Sequence, residues 1–232
     1  MQLSQLKPSQ HSTNNEAAER ILADLDGLAP KIAARAADAE DARRLPADVI
    51  QMLKSAGLYR MTAPKAVGGL ELDLPDVARI LQKLIKIDGS AGWIATVISA
   101  TALVLPLLPR ASYEKTYQNG PDRGCAGGGQ PAGTAVAEAG GFRVNGRWPF
   151  ASGCEDAEWM LAICVLMEDG KPAPGPAEGA PAIRVMCVPA SDWEVEDTWR
   201  APGLRATGSH HVVLKGVFVP SENAFDLGSA QS

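Results

Sequence analysis

The sequence predicts an α+β protein, with an amino-terminal helical bundle followed by a small antiparallel β-barrel. Two patterns lead there. Up to about residue 120, apolar residues recur at three- and four-residue steps; after Gly120-Pro121-Asp122 they alternate with period two between glycine turns. Composition agrees: 232 residues, 46% hydrophobic and 21% charged, describe an ordinary globular chain. A chain of this length buries roughly 70% of its unfolded surface, enough for two modest cores.

Taken in order, residues 1–14 read as a disordered tail, 15–120 as the helical domain and 121–228 as the β-barrel domain. Asn15 to Arg44 carries Ile21, Leu22, Leu25, Leu28 and Ile32 on one helical face, with Gly27 to Pro30 as the candidate break. Pro46 starts a helix whose apolar face is Val49, Ile50 and Leu53 and which ends at Gly57. Tyr59 to Leu74 is a loop. Pro75 opens a helix through Val77, Ile80, Leu81, Leu84 and Ile85, and Asp88-Gly89-Ser90 closes it and caps the next. Ala91 to Pro109, without a charge, reads as a helix buried on most sides within the bundle; its three hydroxyl residues and two prolines argue against a membrane span. Arg110 to Asn119 is a short amphipathic helix. Strands follow over Phe142–Val144, Trp159–Val165, Ile183–Val188, Trp193–Trp199, His211–Leu214 and Val217–Val219, with Lys171–Pro181 as a surface excursion.

Twenty-two basic and 27 acidic residues give a net charge of −5, which does not suggest a nucleic-acid or anionic-membrane surface. The four cysteines form no C-x-x-C pair and the three histidines offer no metal-ligand spacing, so a reduced, cytoplasmic protein without a structural metal is expected.

The candidate site is Gly127 to Trp159. Three successive glycines strip one wall of side chains, so backbone amides could approach a flat ligand. Trp148, Phe150 and the small hydroxyl of Ser152 follow on the next strand, a surface suited to a planar heterocycle.

Three stretches resemble the acyl-CoA dehydrogenase superfamily, and within it the oxygenase components of two-component flavin-dependent monooxygenases. They are Ala63-Pro64-Lys65-Ala66-Val67-Gly68-Gly69-Leu70-Glu71-Leu72-Asp73; Asp88-Gly89-Ser90-Ala91-Gly92-Trp93; and Gly146-Arg147-Trp148-Pro149-Phe150-Ala151-Ser152-Gly153, with Gly203-Leu204-Arg205-Ala206-Thr207-Gly208-Ser209 later. Their order covers about Asn15 to Phe225. The resemblance implies reduced flavin (FMN or FAD) as cofactor, delivered by a separate flavin reductase and used with oxygen to hydroxylate a small, aromatic molecule. It further implies Ser152 as the hydroxyl reaching the flavin's central nitrogen and hence the catalytic candidate. Phe150 would pack on the ring, with Gly128, Gly129, Gln130, Trp148, Ala151 and Gly153 bordering the cofactor, and Trp93 would form a wall for the substrate.

Two departures stand beside it. Several such hydroxylases carry histidine or asparagine where this chain has Gly127-Gly128-Gly129. The family also continues into a carboxy-terminal four-helix bundle that covers the flavin and builds an oligomer; residues 229–232 read as its truncated start, so another chain would have to supply the bundle before a homo-oligomer formed. An acyl-CoA dehydrogenase-type enzyme and a truncated, inert flavin-binding or assembly subunit remain open alternatives. Structural roles also remain open: a strand-edge hydroxyl for Ser152, core packing for Trp148, Phe150 and Trp93, a bulge for Gly127–Gly129, and a solvated loop for Arg205.

Overall fold

The structure is a computed structural model and describes residues 8–227. Among the described residues six α-helices precede eight strands: α1 (Pro8–Ala34), α2 (Ala36–Ala42), α3 (Ala47–Ser55), α4 (Leu74–Ile87), α5 (Gly89–Val104) and α6 (Arg110–Thr116), then β1 (Cys125–Glu138), β2 (Gly141–Trp148), β3 (Trp159–Glu168), β4 (Lys171–Pro172), β5 (Ile183–Pro189), β6 (Glu194–Glu196), β7 (His211–Pro220) and β8 (Ala224–Phe225). The expected tail is helical from Pro8 onward, while residues 1–7 and 228–232 lie outside the described residues. The first helix also passes through Pro30 and breaks only at Arg35. A proline removes one N–H but does not oblige the chain to turn on a helix held by Ile21, Leu25 and Ile32, all buried.

Helices α1, α4 and α5 pack around a core that includes Ile21, Leu25, Leu53, Ile80, Leu84, Ala91 and Ile98. The junction of α4 and α5 is as the sequence suggests: the Asp88 carboxylate accepts the Ala91 N–H at 2.7 Å and caps α5. Gly92 sets the helix spacing, because a Cβ there would lie 2.3 Å from Ile85 Cγ1. Helix α5 is buried over most of its length, as the sequence suggests. Its inner face is buried, but Trp93, Val97, Ala100, Leu103 and Val104 form a partly exposed apolar stripe at helical spacing. Gly89–Leu107 is long and apolar enough to cross a membrane, with 56% of its apolar window buried in the protein.

The expected β-barrel is corrected by the strand pairing: the β-structure is one open eight-stranded sheet, order β6-β7-β2-β1-β3-β5-β8 with β4 paired to β3. Its ends are the three-residue β6 and the two-residue β8, which do not pair with each other, so the ring does not close. The pairing is antiparallel except between β1 and β3. Register in β1 shifts between Gly128 and Gly133. Trp148 forms the centre of the second core, with no exposed surface and its Nε1–H donating to the Ile163 carbonyl at 2.9 Å. Three glycines make its space: a Cβ at Gly128, Gly133 or Gly146 would fall within 3 Å of Trp148 atoms. All four cysteines are buried and unpaired.

Candidate functional site

Beyond Trp148 the chain leaves the sheet. Phe150 takes φ 59, a left-handed conformation that side-chain-bearing residues adopt at a cost, and its ring is 62% exposed. This corrects the expectation that Trp148, Phe150 and Ser152 lie on one strand: the strand ends at Trp148, leaving one ring inside and the other outside. The Phe150 carbonyl accepts the Ser152 N–H at 2.9 Å across this tight turn, and backbone strain of this kind gathers at functional sites. The ring meets Trp199 edge-on, centroids 6.1 Å apart at 87°.

Two residues on, Ser152 is 6% exposed and lies in a hydrogen-bonded chain. Trp93 Nε1 donates to Ser152 Oγ at 2.9 Å; Ser152 and Ser209 hydroxyls lie 2.7 Å apart, and those of Ser209 and Thr207 2.6 Å apart; Thr207 Oγ1 donates to the Leu204 carbonyl at 2.9 Å. The Trp199 Nε1–H donates to the same carbonyl at 3.1 Å. The ring supporting Phe150 and the hydroxyls supporting Ser152 therefore share one anchor. The loops are laced through the backbone as well: Ala151 N donates to His210 O and Gly153 N to Thr207 O. Gly153 makes that turn at φ 72, and a Cβ there would lie 3.1 Å from Ile94 Cδ1.

Around this centre, charged groups hold the helices to the sheet loops. Arg43 pairs with Asp197 and donates to Trp199 O at 2.9 Å, while Arg44 Nε donates to Asp156 at 2.9 Å. The Arg43 hydrogen bond holds the Asp197 carboxyl down to about 2 against partial burial. His210, buried, accepts the Thr198 and Trp199 N–H groups at Nδ1, 3.1 and 3.2 Å, which puts the proton of its neutral ring on Nε2. A cavity of about 20 Å³ between Arg44, Tyr59, Ser152 and Thr207 is large enough for one water.

The structure thus joins Ser152, Phe150, Ala151, Gly153 and Trp93, the last 44% exposed rather than core. Trp148 is not available to a ligand. Gly128 is buried against that indole, whereas Gly129 and Gln130 are exposed. Gly127, Gly128 and Gly129 line a groove of about 240 Å³ with Val97, Ala100 and Val104 of α5. Its Thr101 hydroxyl is engaged by the Val97 and Ile98 carbonyls, so the groove offers an apolar ligand little polar competition. Helix α5 links groove and hydroxyl chain, Trp93 and Val97 being about 6 Å apart along the axis. Thr207, Ser209 and Trp199 receive no role from the sequence, because the residues they support, Ser152 and Phe150, lie far from them along the chain. Their one local signal is Thr207-Gly208-Ser209, two hydroxyls flanking a glycine with φ 50.

Residues 19–115 match the model for the acyl-CoA dehydrogenase N-terminal domain. The chain is 33% identical over 213 residues to an FADH(2)-dependent resorcinol hydroxylase oxygenase component of Rhizobium sp., covering 92% of this chain and 50% of that protein. It is 36% identical over 215 residues to an indole-3-acetate monooxygenase of Acinetobacter baumannii, covering 91% and 53%. Among solved structures, XiaF from Streptomyces sp., in complex with FADH2 and glycerol, superposes with a TM-score of 0.86 at 30% identity, covering 94% of this chain and 54% of that one. The chain spans about half the length of the curated relatives it matches.

Proposed function

We propose that this chain, whose residues 19–115 match the acyl-CoA dehydrogenase N-terminal domain, forms the helical and sheet portion of a flavin-dependent monooxygenase oxygenase component. The observation that carries this reading is the Phe150 ring held exposed at φ 59, two residues from the Ser152 hydroxyl, in a chain 33% identical to an FADH(2)-dependent hydroxylase. Phe150 offers a ring face for stacking, Ser152 one polar contact, and exposed Gly129 and Gln130 a backbone edge; this donor set fits a planar flavin. When bound, reduced flavin supplies the electrons that activate oxygen. The residues of this chain bind and orient: Trp93 fixes Ser152, Trp199 braces Phe150, and the apolar stripe of α5 excludes water from the groove.

A small aromatic molecule is the proposed substrate, with Trp93 and the groove beside Gly127–Gly129 as its walls. A separate reductase in the cytoplasm would deliver the flavin; four buried, unpaired thiols suit that compartment. The dividing point between the two proposed domains is near residue 120.

Anaerobic titration with reduced FMN and FAD, of this chain alone and joined to the carboxy-terminal half of a relative, tests the reading. Binding, followed by oxygen-dependent hydroxylation of resorcinol- or indole-type compounds, is expected. No binding in either form would overturn it, and reduction of bound flavin by an acyl-CoA would point instead to a dehydrogenase.

A further inference from the structure

The hydrogen-bonded chain through Ser152 has a direction. An indole N–H only donates, so Trp93 must give its proton to Ser152; a carbonyl only accepts, so Thr207 must give its proton to Leu204 O. With Thr207's single proton used, its oxygen is the acceptor at the 2.6 Å contact, and Ser209 is the donor. Ser209's proton being used in turn, Ser152 is the donor at 2.7 Å. One assignment alone makes all four bonds: Trp93 to Ser152 to Ser209 to Thr207 to Leu204 O. Each of the three hydroxyls is nearly or fully buried, so water does not readily replace a lost partner.

Ser152 is then left with a lone pair and no proton for whatever approaches it. We infer that Ser209 and Thr207 are positioning residues that fix Ser152 as a hydrogen-bond acceptor, so that the site selects a ligand presenting N–H over one presenting a bare nitrogen. This rests on the flavin reading above. Of the two flavin states, the reduced ring carries hydrogen on its central nitrogen and the oxidised ring carries a lone pair there. An acceptor-only Ser152 accommodates the first and opposes the second. The same serine with a free proton would serve either state, which is why the residues behind it, and not Ser152 alone, set the preference.

The test is the ratio of dissociation constants for oxidised and reduced flavin, measured anaerobically on the folded chain, with the midpoint potential of the bound flavin as a second readout. Wild type binds the reduced form more tightly. Ser209→Ala releases the Ser152 proton, and the preference falls about ten-fold, the worth of one buried hydrogen bond; Ser209→Thr restores it. Thr207→Val keeps the buried shape but lets Ser209 turn its proton back toward Ser152, so it lowers the preference without depending on how well Ser209→Ala folds. A purely structural role would weaken both affinities together. An unchanged ratio in both folded variants overturns the inference alone, whereas failure of wild type to bind either flavin state overturns the flavin reading and the inference with it.

Discussion

Phe150 pays for its position twice, in backbone conformation and in an apolar ring left facing water. Both costs vanish with glycine, which takes positive φ freely. Phe150→Gly is therefore expected to raise unfolding free energy in urea by up to about 1 kcal/mol, while flavin affinity drops. A loss of stability would instead mean that the Trp199 contact matters more than the strain. Sequence showed part of this centre. A lone Ser-Gly after an aromatic marks Ser152, but the left-handed turn at Phe150 is invisible to an alternation argument that runs past the end of the strand. Thr207 and Ser209 lie more than fifty residues from Ser152, and only the folded loops bring their hydroxyls into line.

At the scale of elements, α5 is the part that both halves of the site share. Its contact with α4 is set at Gly92, one residue before Trp93. Gly92→Ala forces the helices apart against the Ile85 backbone and is expected to cost about 1–3 kcal/mol in chemical denaturation, with Trp93 displaced from Ser152 as a loss of indole fluorescence signature. The loops on the sheet side are held by Arg43 and Asp197. Because the folded Asp197 carboxyl sits near 2 and an unfolded one near about 3.9, its contribution is present above pH 4 and is lost as pH falls toward 2. Melting temperatures of wild type and Asp197→Asn should accordingly differ at neutral pH and converge in acid; a constant difference across that range would exclude the pair as the cause. Helix periodicity and the Asp88 cap made α4 and α5 readable in advance. The outer stripe of α5 was not, since a helix apolar all round carries no asymmetry to show which side faces the sheet.

For the molecule as a whole, the open sheet and the α5 stripe leave Trp93, Leu103, Phe150 and Leu227 substantially exposed, and exposed apolar side chains are where apolar ligands and partners attach. Leu103→Lys, on the stripe but outside the hydroxyl chain, should reduce binding of an apolar fluorescent dye and shift sedimentation toward monomer; unchanged dye binding would locate the patch elsewhere. The sheet's openness escaped sequence reading because strand pattern specifies faces, whereas closure depends on which edge strands meet, and here the edges are two and three residues long. The buried cysteines carry one more consequence. Burial pushes the Cys125, Cys154 and Cys164 thiols up to about 12 and Cys187 well above its ordinary value, so almost none is thiolate at neutral pH, and thiolate is the form that oxidants attack. These four sulfurs are therefore poor targets for hydrogen peroxide: native protein should survive a peroxide challenge with its thiols unmodified by mass spectrometry, and surrender them only when unfolded.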